Sequence, residues 1–167
     1  MASSYHTGKK LKQNFFTACK SVLGNSRGAD DIVRLNLIES HCLRLLTYGV
    51  NADCLKSSDY IDLNTCWSSV FRRIFHFHKH EPVHVFTCGL GRLDFIHLCH
   101  KMRLTFIRKG LNSANQSVKF FTRLFILGHD FMKLCDVIDV DAMHFYKLSF
   151  GTVNRLIYNH FRDSCLE

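Results

Sequence analysis

Proline occurs once, at Pro82, in a chain of 167 residues. The ring that most often breaks helices is thus missing from long stretches, and long helices are permitted. No window reaches about 18 uninterrupted apolar residues, so no membrane span is expected. The opening MASSYHTGKKLK has basic residues with no apolar run behind them, unlike a secretory signal. The eight cysteines include no Cys-x-x-Cys pair, the spacing that structural zinc and redox sites favour. They are expected to be reduced thiols of an intracellular protein in nucleus or cytoplasm, each a small buried apolar residue. G-x-S-x-G, the P-loop and G-x-G-x-x-G are all missing, and Gly89-Leu90-Gly91 alone is only a two-glycine turn.

What the chain does have is apolar bulk and positive charge. Hydrophobic residues make up 47%, with fifteen Phe, a composition able to form a core. The net charge is +8, which points to an acidic partner such as nucleic acid. The charge is uneven: residues 1–29 hold five Lys/Arg and no acid, and residues 66–128 hold ten against Glu81 and Asp94. Residues 130–141 are acidic, with four Asp against Lys133.

Apolar spacing predicts helices. Leu11, Phe15, Cys19 and Val22 repeat at helical steps up to Gly24-Asn25. Asp30 is placed to cap a second helix carrying Ile38, Cys42, Leu45 and Leu46 inward as far as Tyr48-Gly49. After a loop at 51–56, Ser57 or Ser58 starts a third, striped by Leu63, Trp67, Val70, Phe71, Ile74 and Phe77, with Arg72 and Arg73 on the other side. A polar break over 76–84 and a short apolar piece, 83–88, follow. The next helix has Phe95, Cys99, Met102 and Phe106 on one face and His97, Lys101 and Arg108 on the other, with Gly110 as its C-cap. A Phe-rich helix over 118–127 starts after Ser113, and the remainder is expected to be helical with breaks at Gly128 and Gly151.

Four constellations bear on chemistry. Ala29-Asp30-Asp31 has the letters of a polymerase metal motif. It lacks flanking apolar strands and an upstream third acid, so helix capping is the expected role. His76, His78, His80 and His84 alternate in a polar stretch, where only His80 and His84 have a zinc-type spacing. That stretch is expected to be solvated and partly basic. Chance Cys/His pairs are unavoidable with eight Cys and eleven His, so no catalytic thiol is assigned. The fourth is the basic surface, from which Arg72, Arg73, Arg92, His97, Lys101, Arg108 and Lys109 are the candidate nucleic-acid contacts. No aromatic row interrupts these faces, which favours duplex-backbone contact over base stacking.

The segments FFTACKSVLG (15–24), LIESHC (37–42), LTYG (46–49), LNTCWSSVFRRIF (63–75) and GLGRLDF (89–95) resemble, in order and spacing, the stretch after the palm in LINE-type (non-LTR retrotransposon) reverse transcriptases. The match covers roughly residues 8–115. The resemblance implies an all-α, irregular helical bundle of the thumb and connection type. Residues 1–12 would be the end of a palm, 13–115 the thumb-like region, and 116–167 a helical extension of unknown role. It implies a fragment of an RNA-directed DNA polymerase that grips RNA or an RNA–DNA duplex by its backbone, with the missing palm domain as a further partner. Catalytic carboxylates, metal and cofactor are not expected in this chain. The alternatives are a small zinc- or nucleic-acid-binding module built on His76–His84, and a retrotransposon remnant without function, which would carry an exposed Phe-rich patch.

Overall fold

The computed structural model describes residues 3–47 and 57–166, and among these the chain is helical, without a strand. The expected all-α irregular bundle is therefore found. The chain divides into two compact units, Met1–Ile96 and His97–Glu167.

The first unit contains α1 (Ser3–Asn25), α2 (Asp31–His41), α3 (Leu43–Thr47), α4 (Ser57–Ile74) and α5 (His84–Gly89). Asp30 caps α2, its carboxylate accepting from the Ile32 N–H at 2.9 Å. The helix expected to run on past residue 42 instead stops at His41, and α3 restarts one residue beyond Cys42. Ile38, Cys42 and Leu46 are buried as expected, whereas Leu45 is not. The restart changes the facing of the residues after it, so one continuous period no longer applies. Tyr48-Gly49 and the 51–56 loop lie outside the described residues.

Helix α4 organises this unit. Leu63, Trp67, Val70, Phe71 and Ile74 are all buried, with Trp67 2% exposed. The indole meets Phe71 edge-on at 5.2 Å and Phe15 of α1 at 6.5 Å. Its Nε1–H donates to the Leu93 carbonyl at 3.1 Å, so the polar end of the ring is satisfied inside the core. Burying one such side chain contributes about 2–3 kcal/mol.

Two turns in this unit end in residues with left-handed backbone. Gly91 (φ 68°) follows α5, with the Arg92 N–H bonded back to the Thr87 carbonyl at 3.0 Å. His76 (φ 59°) follows α4 in the same way, with the Phe77 N–H bonded to the Arg72 carbonyl at 3.0 Å. Both stop a helix by giving its last carbonyls a donor, and glycine does so without the steric cost that His76 carries.

Helix α6 (Phe95–Leu111) runs across the boundary between the units. The second unit continues with α7 (Gln116–Ile126), α8 (His129–Val137), α9 (Ala142–Phe145) and α10 (Phe150–Ser164). Caps set these starts: Asn115 accepts from the Ser117 and Val118 N–H groups, Asp141 from Met143, and Ser149 from Thr152. Gly128 separates α7 from α8 as expected. Gly151 does not break the chain; it lies in the first turn of α10, whose buried stripe is Val153, Ile157 and Phe161. Gly110 is not a C-cap either. It lies inside α6, and a Cβ there would collide with the Thr122 side chain, so it is the point where α7 closes on α6.

Candidate nucleic-acid interface

The candidate cations divide between the units, and each unit treats them differently. In the first, Arg72 is half-buried at the end of α4 and its Nε–H donates to the Glu81 carbonyl at 3.2 Å. Arg92 is held by the Glu39 carboxylate at 3.2 Å and the Asn36 side-chain oxygen at 2.8 Å. Burial pushes the Glu39 carboxyl above its ordinary range, while the Arg92 charge pulls the other way. Arg92 is thus paired within the fold while part of its guanidinium still meets solvent, so part of its charge is offset by Glu39. Arg73 is exposed, on the side of α4 where Phe16, Cys19 and Leu23 of α1 share a shallow groove with it. The sequence reading did not single out Lys9, Lys10, Lys20 and Arg27, which are also exposed. Their signal was the lack of any acid in residues 1–29.

In the second unit the expected outward face of α6 is covered at both ends by α10. His97 is 8% exposed: its Nε2 lies 2.9 Å from Nδ1 of His160, and its ring packs on Phe161 at 5.0 Å. Eleven residues on, the Arg108 guanidinium sits 5.0 Å over the Phe150 ring. Eleven residues also separate Phe150 from Phe161, so the two helices run antiparallel with matched lengths. The expectation that His97 faces solvent is therefore corrected. Imidazole is amphipathic, and α10 supplies both a ring to pack on and a nitrogen to pair with. Lys101 and Arg108 are half-buried and Lys109 is exposed. Phe106, assigned to the buried face, is 65% exposed. It lies on the same side of α6 as buried Phe95 and Cys99, but at that level α7 leaves an open apolar groove instead of a cover.

In the remaining constellations Asp30, Asp31, His76 and His78 serve local structure. Asp30 is the α2 cap, and Asp31 pairs with Arg34 at 3.0 Å. His76 is the residue that ends α4, and the His78 N–H donates to the Glu81 carboxylate at 2.7 Å, closing a tight turn. His78, His80 and His84 are exposed. Among the described residues no group of three or more His, Cys, Asp or Glu is placed to hold a metal ion.

No disulfide joins the described cysteines, which are all buried except Cys165. Burial raises the Cys19, Cys42, Cys66 and Cys135 thiols above their ordinary range, Cys135 to about 11. Such thiols are protonated and unreactive at neutral pH.

No helix among the described residues is long and apolar enough to cross a membrane. No family model, no curated protein and no solved structure matches the chain.

Proposed function

We propose that this chain is a helical domain that holds RNA or an RNA–DNA duplex by its phosphate backbone, related to the region after the palm in LINE-type reverse transcriptases. The observation that carries the reading is the one-signed charge of α6 and α7. No acid occurs between Asp94 and Asp130, while Lys101, Arg103, Arg108, Lys109, Lys119 and Arg123 lie between them. A duplex carries one charge per roughly 1.7 Å, so such a surface displaces counterions on binding. The cations best placed for this are those at the surface, Arg73, Lys109 and Arg123, with the α1 set, in preference to His97 and Arg92. Polymerisation is not assigned to the chain, since Asp30 and Asp31 serve a helix start and an ion pair.

Fluorescence anisotropy with a labelled duplex tests the proposal. Binding is expected to be independent of sequence and steeply weakened by salt. Replacing Arg73 and Lys109 together by Gln is expected to weaken all sequences alike and reduce the salt slope by roughly two contacts. Binding that does not change with salt, or that depends on one base sequence, would count against backbone recognition.

One observation favours a second reading, a fragment that has lost the surface it packed on. Phe120, Phe121, Leu124 and Phe125 of α7, and Leu127 just after it, are all at least 50% exposed. Contiguous apolar surface of this kind marks a site made for a partner or prone to aggregation. Concentration-dependent self-association that α7 substitutions relieve, together with no affinity for nucleic acid, would favour it.

A further inference from the structure

Arg108 and Arg123 line one hollow of the second unit, together with Asn112 and Tyr146 and floored by Leu111 and Phe145. Its volume is about 130 Å³. That is well below the roughly 300–1,000 Å³ of pockets that take drug-sized ligands, so a whole nucleotide does not fit inside it. It suits one small group. No carboxylate lines it, and none occurs on α6 or α7. Two guanidinium groups lining one hollow without a counter-charge repel each other, and an anion between them relieves that repulsion.

Arg108 adds an independent observation. Its Nε is shut off from solvent and has no hydrogen-bond partner among the described residues. A buried donor left unmet is unusual, because desolvating it without a partner is costly. The guanidinium cannot swing away freely, since its carbon stands over the Phe150 ring. The group is thus oriented in advance, as a planar fork needs to be for bidentate binding of an oxyanion. The amide of Asn112 and the hydroxyl of Tyr146 are further donors on the same wall.

We propose that this hollow is a seat for a single tetrahedral oxyanion of the phosphate class, held by Arg108 and Arg123 with Asn112 and Tyr146 completing the donor set. Phosphate is favoured over carboxylate because three or more oxygens match donors that converge from α6, α7 and the residue after α9. The proposal does not depend on the backbone-binding reading: inorganic phosphate would fill the seat whether or not the chain grips nucleic acid. The same chemistry has two sources, a free phosphate or phosphomonoester, and a phosphodiester of a nucleic-acid backbone.

The test measures thermal unfolding of the full chain with inorganic phosphate and with chloride at matched ionic strength. At tenfold saturation, phosphate is expected to raise the melting temperature by about 3 °C more than chloride. Arg123→Gln is exposed and safe for folding, and it is expected to weaken phosphate by about tenfold or more. Tyr146→Phe should weaken it by a smaller factor, and Arg108→Gln is added if it folds. Equal effects of phosphate and chloride, or phosphate binding unchanged by Arg123→Gln, would overturn the seat. An oligonucleotide without terminal phosphates separates the sources. If it displaces phosphate, the occupant is a backbone phosphodiester; if only free phosphate or a monoester binds, the ligand is a small phosphate. Either result upholds the seat, and phosphate binding without any oligonucleotide binding would sink the backbone-binding reading alone.

Discussion

Helices α4 and α7 are both strongly amphipathic by sequence, and the fold uses them in opposite ways. In α4 the apolar stripe is interior, from Leu63 to Ile74, and Arg73 is left at the surface. In α7 the side turned inward carries Thr122 and Ile126, where Thr122 meets Gly110. Phe120, Phe121, Leu124 and Phe125 point outward, and Phe121 and Phe125 share an apolar groove with Phe106 of α6. An apolar stripe therefore establishes that a helix has a face to cover. It does not say whether this chain covers it. In α4 the cover is α1 and its Phe15; among the described residues, α7 has no equivalent.

The largest effect that could break this contrast is at Trp67. Trp67→Ala is expected to cost about 3–5 kcal/mol in chemical denaturation, since it opens a cavity and removes the bond to the Leu93 carbonyl. A loss below about 1 kcal/mol would mean that α4 is no more a core helix than α7. Next comes the place where α7 touches α6. Gly110→Ala is expected to cost about 1–3 kcal/mol, because the new methyl group meets Thr122. Adding Thr122→Ala, which removes the hydroxyl the new methyl group meets first, should recover part of that loss, and strict additivity would show that the helices do not meet there.

Alkali probes burial in both units through their thiols. Cys135 is held protonated to about 11, chiefly by burial and then by the Asp136 and Asp141 charges. The unfolded chain gives up this proton first, near the ordinary thiol value of about 8.5. Stability is thus complete below that pH and falls as pH climbs towards about 11. Cys135→Ala should flatten this decline in urea midpoints measured from pH 8 to 10.5; an identical slope would mean that Cys135 is accessible in the native state.

Smaller effects follow at the surface. His76→Gly is expected to gain about 0.5–1 kcal/mol by relieving a left-handed residue, and a loss would show that the imidazole contributes to its turn. Smallest of all, Phe121→Ala with Phe125→Ala should change stability by no more than about 0.5 kcal/mol, against the several kcal/mol of a core Phe. A large loss would place α7 in a covered core and erase its difference from α4.

The sequence by itself determined the helical class, several helix starts and the content of the first core. These are local matters. Period, capping residues such as Asp30 and turn residues such as Gly91 act within a few positions of themselves. Sequence also located the acid-free stretches that make the surface basic. It could not decide which cations remain available. Glu39 takes up Arg92 from 53 positions away in the sequence, and His160 covers His97 from 63 positions away, distances over which no pattern in the chain carries information. Only the tertiary structure placed Arg108 and Arg123 on one hollow, turned Gly110 from a helix end into a contact point, and left the phenylalanines of α7 outward. The physical reason is that a helix's period fixes the angles between its own side chains, whereas which of those angles meets protein or water depends on where every other element packs.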